Sequence, residues 1–123
     1  MSRITLGFII SIIVSCSIVY QVLADDSGLA DALHALGKEK GKICMVDHFH
    51  NGTSFDQKSK RKALKEAIKS WEEFTAWEYG SDWGKFGRAR SRGQRCNKSE
   101  KTWSCSVEAR PCRTVNKQYA TVK

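Results

Sequence analysis

Hydrophobic residues are most concentrated at the start of the chain. Residues 4–14 are almost entirely apolar, follow the single charge at Arg3, and lead to the sequence Val-Leu-Ala at residues 22–24. A basic residue, an apolar run and a small-residue site in this order are typical of a cleavable secretory signal. We therefore predict a signal peptide over residues 1–24. The alternatives are a retained membrane anchor, since about 20 residues can span a bilayer, and a lipoprotein attached through Cys16.

A helical pattern follows in the middle of the chain. Five apolar residues share one face of a helix predicted over about residues 57–79: Leu64, Ala67, Ile68, Trp71 and Phe74. Ser54 or Asp56 is the predicted N-cap, and Gly80 is the predicted C-terminal stop. Four aromatic residues of this helix and of the segment after it are expected in the core: Trp71, Phe74, Trp83 and Phe86.

A strand is predicted before the helix. Residues 43–50 alternate so that Cys44, His48 and His50 share one face of an extended chain. Residues 51–54 (Asn-Gly-Thr-Ser) carry turn-forming side chains and predict the end of this strand.

A β-hairpin is predicted after the helix, and it completes the fold. Residues 93–112 form it, with a turn at 97–101 and a return strand that faces inward through Trp103, Cys105, Val107 and Ala109. The expected fold is α+β: a small β-α-β-β domain over residues 43–113, with one long helix on a short antiparallel sheet. Residues 25–42 are interpreted as a flexible spacer and residues 114–123 as a polar tail.

The cysteine count supports export. Cleavage of the signal would leave four cysteines, an even number that indicates two disulfide bonds. The predicted hairpin places Cys96 opposite Cys105, which leaves Cys44 to pair with Cys112. The spacing lacks the C-x2-C pair of a zinc site.

The net charge of +8 is distributed unevenly. Residues 25–80 carry 9 basic and 10 acidic side chains, whereas residues 81–123 carry 11 basic and 3 acidic ones. The densest cluster is predicted to bind anions: Lys85, Arg88, Arg90, Arg92 and Arg95. Guanidinium groups bind phosphate or carboxylate in bidentate fashion. Expected partners are a membrane surface, lipopolysaccharide, an acidic protein or nucleic acid; a merely solvated face is the alternative, and no small-molecule substrate is evident.

His48 and His50 are the most chemically suggestive pair. Two histidines on one strand face can bind a metal if a third ligand joins them, but His34 falls in the predicted spacer. The simpler interpretation is that the pair hydrogen-bonds backbone groups. Ser54 and Asp56 near His50 form a weak candidate for nucleophilic catalysis, and no oxyanion-hole motif accompanies them. We therefore predict a protein that is not an enzyme and has no cofactor.

Four motifs taken together resemble a group of small exported proteins of alphaproteobacteria. The motifs are Cys44-x2-Asp47-His48-x-His50-x-Gly52, Ala67-Ile68-x2-Trp71, Trp77-Glu78-Tyr79-Gly80-x2-Trp83 and Trp103-x-Cys105-x-Val107-Glu108-Ala109-Arg110-Pro111-Cys112. The resemblance covers about residues 43–113. It implies an exported, disulfide-bonded bacterial domain, and it brings no catalytic residues, because no activity is assigned to the group.

The sequence as a whole predicts an exported, non-enzymatic binding protein, periplasmic or secreted, that uses its basic segment on an anionic partner. A secreted effector is one form that this role could take. The alternative is a small metal- or proton-handling protein built on His48 and His50. Binding that weakens with salt distinguishes the first function, and metal retained after dialysis distinguishes the second.

Overall fold

The computed structural model describes residues 26–115, so the predicted signal peptide and most of the predicted tail lie outside the described residues. Its elements in chain order are α1 (Leu29–Leu33), β1 (Leu36–Glu39), β2 (Lys42–Met45), β3 (His50–Gln57), α2 (Lys60–Tyr79), a 3-10 helix (Phe86–Arg88), β4 (Arg90–Ser99), β5 (Thr102–Arg110) and β6 (Cys112–Thr114). Among these residues, no helix combines the length and the apolarity needed to cross a bilayer.

The strands form two antiparallel sheets. Sheet A has the order β1-β2-β6, and sheet B has the order β3-β5-β4. Helix α2 packs on one face of sheet B, mainly against β3 and β5. The predicted α+β class with one long helix is therefore confirmed, although the structure has two small sheets where one was predicted.

Helix α2 is defined by its caps and by a stripe of buried residues. Ser59, rather than Ser54 or Asp56, is the N-cap, because its hydroxyl accepts a hydrogen bond from the Lys62 amide at 3.2 Å. The helix stops at Gly80, as predicted, where φ is 104°. Its buried residues repeat every four positions: Ala63, Ala67, Trp71, Thr75 and Tyr79.

This stripe corrects one core prediction. Trp71, Trp83 and Phe86 are buried as expected, but Phe74 is 48% exposed. Because the buried stripe runs through every fourth residue, Phe74 lies on the flank of the helix, where it stacks on Trp77 with ring centroids 6.1 Å apart. The prediction that Phe74 belongs to the core was wrong.

The predicted strand over residues 43–50 is divided between the two sheets. Strand β2 ends at Met45 and belongs to sheet A, whereas β3 begins at His50 and belongs to sheet B. The residues predicted as a turn, 51–54, lie inside β3. Gly52 is needed there for a close approach to α2 rather than for a turn.

Residues 26–42 are part of the fold, which contradicts the predicted spacer. Ala30 of α1 is completely buried in a second core with Met45, Tyr79 and Trp83. Strand β1 pairs with β2 in the register Leu36 to Met45. The short helix and strand are stabilised by these distant partners, so their own sequence gives little signal.

The disulfide bonds and the hairpin form as predicted. Cys96–Cys105 joins β4 to β5, and Cys44–Cys112 joins β2 to β6. The hairpin turn consists of residues 100–101, shorter than predicted, and Pro111 separates β5 from β6 where the chain crosses between the sheets. Two disulfides in a small domain fit an extracellular or periplasmic protein.

Candidate functional site

A further cation from the other sheet joins the predicted basic segment. Lys42 of β2 lies beside three arginines, and its Nζ donates a hydrogen bond to the carbonyl oxygen of Arg88 at 3.4 Å. Partial removal from water and then the charges of Arg90, Arg88 and Arg92 lower the pKa of Lys42. We call Lys42, Arg88, Arg90 and Arg92 the basic surface. Lys42 was not predicted as part of this site, because no local sequence pattern connects it with residues about 46 positions away.

Acidic groups neutralise only part of this charge. Asp82 forms an ion pair with Arg88. Burial by itself raises the pKa of Asp82, but hydrogen bonds from Thr114 and Arg88 outweigh it and lower the pKa overall. Glu39, which pairs with Lys42 in the sheet register, is bound to Arg110 at 2.8 Å.

The remaining cations of the basic surface have no acidic partner in the part of the chain that the structure describes. Within residues 26–115, no carboxylate lies within 4.0 Å of Lys42, Arg90 or Arg92. The Nε of Arg90 is buried without a hydrogen-bond acceptor in this part of the chain. Such an unpaired buried donor destabilises the fold.

The other predicted anion-binding residues are placed differently. Lys85 is exposed at the start of the 3-10 helix, and Arg92 lies over the ring of Phe86 at 6.0 Å. Arg95 lies opposite Ser106, on the face of sheet B that α2 does not cover. The structure therefore brings Arg88, Arg90 and Arg92 together and separates Arg95 from them.

The chain's three histidines converge at the end of α2. His34, from the connection between α1 and β1, places Nε2 2.8 Å from the hydroxyl of Tyr79. The Nε2 of His48 lies 3.3 Å from the same oxygen. The rings of His34 and His48 stack with centroids 4.0 Å apart. We call His34, His48, His50 and Tyr79 the histidine cluster.

His50 is the buried histidine of the cluster, with only 4% of its surface exposed. Its Nδ1 lies 2.9 Å from the hydroxyl of Thr75, and its Nε2 lies 3.2 Å from a carboxylate oxygen of Glu78. Burial, followed by the nearby His48, lowers the pKa of His50 to about 4, although Glu78 acts in the opposite direction. His50 is therefore neutral near pH 7 and donates Nε2–H to Glu78 while Nδ1 accepts from Thr75.

The ring nitrogens of the histidine cluster are directed at protein groups. In the described part of the chain, no three His, Cys, Asp or Glu side chains are placed to hold a metal ion. His50 directs both nitrogens to Thr75 and Glu78, and His48 directs Nε2 to Tyr79. The Tyr79 hydroxyl can donate to one imidazole while the other imidazole donates to it.

The residues considered for nucleophilic catalysis are not brought together. Ser54 is buried, and its hydroxyl donates to the carbonyl oxygen of Ala63 at 2.6 Å. Asp56 accepts from the hydroxyl of Thr102 at 3.3 Å. His50 contacts neither of them through its ring nitrogens.

Comparison with protein-family models, with curated proteins and with solved structures finds no match to this chain.

Proposed function

We propose that this chain is an exported, non-enzymatic binding protein, periplasmic or secreted, that uses the basic surface on an anionic partner. The observation that supports the proposal is the position of Lys42. It reaches from sheet A toward arginines that precede or belong to sheet B, so four cations from distant parts of the chain share one surface. Like charges gathered in this way repel one another unless an anion lies between them.

The arginines of the basic surface have different roles in this proposal. Arg88 is fixed by Asp82 and helps to shape the site. Arg90 is partly exposed and Arg92 is exposed, so both can present guanidinium N–H groups to a ligand. Guanidinium groups with free donors bind phosphate or carboxylate oxygens in pairs, whereas Lys42 adds a point charge.

The test compares two variants that remove the same charge. The first replaces Lys42, Arg90 and Arg92 by Gln; the control replaces Lys58, Arg61 and Lys62, all exposed near the start of α2. Binding to phosphatidylglycerol vesicles, lipopolysaccharide, duplex DNA and a glutamate-rich peptide is titrated at 0.1 M and 1 M salt. We expect the affinity to fall sharply in the first variant. We expect the same for the unmodified protein when salt rises from 0.1 M to 1 M, because the Debye length shrinks from about 10 Å to about 3 Å. Equal losses in both variants would show that only total charge matters and would refute the proposal.

We infer a second candidate function, proton handling, for the histidine cluster. The supporting observation is that one hydroxyl, that of Tyr79, lies within hydrogen-bond distance of both His34 and His48. Such an oxygen can pass a proton between two imidazoles. In an NMR titration, His34→Gln should shift the pKa of His48, and Tyr79→Phe should reduce this effect. A pKa of His48 that is the same with and without His34 would count against this function.

A further inference from the structure

The uncovered face of sheet B contains a groove. Two adjoining cavities of about 300 Å³ and 120 Å³ lie on it, and both are lined by Arg95 and Ser106. They follow β5, the central strand, on the side away from α2. We call this feature the open-face groove.

The strand register explains the shape of the groove. Ser106 of β5 lies between Thr53 of β3 and Arg95 of β4. Ser104, next along the same face, is paired with Asn97. The floor therefore consists of small hydroxyl side chains, and larger amide and guanidinium side chains form the walls.

The groove changes character toward its two ends. At one end Glu108 lies between Asn51 and Gly93, and a Cβ at Gly93 would meet no atom within 4 Å, so the carboxylate is accessible from the β4 side. At the other end Phe55, 68% exposed, lines the smaller cavity. A polar groove thus runs from a carboxylate, past a guanidinium, to an aromatic ring.

These groups select a class of ligand by their chemistry. Amides and hydroxyls both donate and accept hydrogen bonds, as sugar hydroxyl groups also do. Arg95 attracts an acidic group, and Phe55 offers an apolar ring face. Glu108 accepts from ligand hydroxyls but repels a chain with a negative charge at every unit, which disfavours nucleic acid.

We propose that the open-face groove binds an acidic glycan in which one sugar carries a carboxylate and its neighbours are neutral, with the carboxylate on Arg95 and ring hydroxyls on Asn97, Ser106 and Glu108. This site goes beyond the proposed function, because it contains no residue of the basic surface. Many antiparallel sheets simply expose a polar face to water, so the experiment must separate a ligand site from such a face.

The probe is sialyllactose, a trisaccharide with a single carboxylate, with maltotriose as a neutral trisaccharide control, each titrated into the full chain by calorimetry. Arg95→Gln should weaken sialyllactose binding about tenfold or more, as loss of a charge-assisted hydrogen bond does. Lys98→Gln removes the same charge from the same strand but lies opposite Trp103, which packs against the core on the other face, so it should change affinity by less than about twofold. Ser106→Leu, which fills the exposed groove, should block binding while leaving the melting temperature nearly unchanged.

Several results would overturn the glycan proposal. These are no saturable sialyllactose binding, equal affinity for maltotriose, equal losses from Arg95→Gln and Lys98→Gln, or tighter binding of a single-stranded DNA decamer or a glutamate-rich peptide. The basic-surface proposal would survive each of them, because its test depends on Lys42, Arg90 and Arg92, none of which the groove variants change. Failure of that test would in turn leave the groove proposal standing.

Discussion

A Cβ atom added to Gly52 of β3 would lie 2.2 Å from the carbonyl oxygen of Ala67 in α2. It would also lie 2.6 Å from the backbone nitrogen of Trp71. Strand and helix backbones are therefore in direct contact at this point, and neither neighbouring atom belongs to a side chain that could rotate away. This contact fixes the distance between α2 and sheet B.

Gly52→Ala should consequently be strongly destabilising. We expect the free energy of unfolding to fall by about 1–3 kcal/mol or more, the usual cost of overpacking, because the helix must move away from the strand. Gly93→Ala is the matched control in the same sheet, since its Cβ meets nothing within 4 Å. Urea titrations of both variants provide the measurement. Similar stabilities for the two would contradict the close contact.

Trp71 and Phe74 differ in burial although they are one helical turn apart. Trp71 is fully buried, and its indole nitrogen donates to the carbonyl oxygen of His50 at 2.9 Å. Trp71→Ala should cost about 3–5 kcal/mol through the cavity it leaves. Phe74→Ala should cost much less, and Lys62→Ala should stay within about 0.5 kcal/mol. Thermal melts that rank Phe74→Ala with Trp71→Ala would show that the buried face of α2 is misassigned.

The elements that sequence analysis predicted correctly have local signals. Helix α2 carries its own periodicity and a C-terminal glycine, and the hairpin alternates cleanly with cysteines at matching positions. The two disulfides follow from that hairpin. Strand β3 was missed because Asn51 and Gly52 are turn-forming residues, and only contact with α2 gives Gly52 its function.

The candidate sites, too, were predicted where the signal is local and missed where it depends on distant contacts. Arg88, Arg90 and Arg92 are neighbours in sequence, so their cluster was predicted. Lys42 and His34 come from the segment interpreted as a spacer. Lys42 reaches its site because β2, to which it belongs, pairs with β1 and β6, and His34 reaches its site through contact with Tyr79. Such contacts join residues 45 or more positions apart, so no pattern within one element reveals them.

The two disulfides should contribute unequally to stability. Cys44–Cys112 closes a sequence separation of 68 residues, and Cys96–Cys105 closes one of 9. Loop-closure entropy predicts about 4.4 kcal/mol for the long loop and about 2.7 kcal/mol for the short one. Replacing each pair by alanine and measuring unfolding under oxidising conditions tests this order. A larger loss from the Cys96/Cys105 pair would contradict it.

Stability should fall in mild acid because of His50. Its pKa of about 4 in the folded protein lies below the ordinary value of 6.5, so the unfolded chain takes up the proton first as the pH falls. The stabilisation is complete above about pH 6.5 and is lost progressively toward pH 4, by up to about 3 kcal/mol. Burial, then His34, lowers the pKa of His48 too, which adds to the same trend.

Urea unfolding at pH 7.5, 6 and 4.5 measures this dependence. His50→Gln should be less stable at pH 7.5, since it removes a buried ring, but its stability should change less with pH. The pH dependence of the free energy of unfolding, compared between the two proteins, separates titration of His50 from its packing. If the free energy of unfolding of the variant changes with pH as much as that of the unmodified protein, other groups cause the acid sensitivity.

The bond between Cys44 and Cys112 also determines how the domain would respond to tension. It joins the second strand of the domain to the last one, and both lie in sheet A. A pull on the two ends of the described chain would pass from one sulfur to the other and bypass everything between them. Only α1, β1 and the short stretches flanking the cysteines would peel away. Sheet B, with the open-face groove, would keep its shape under a mechanical load.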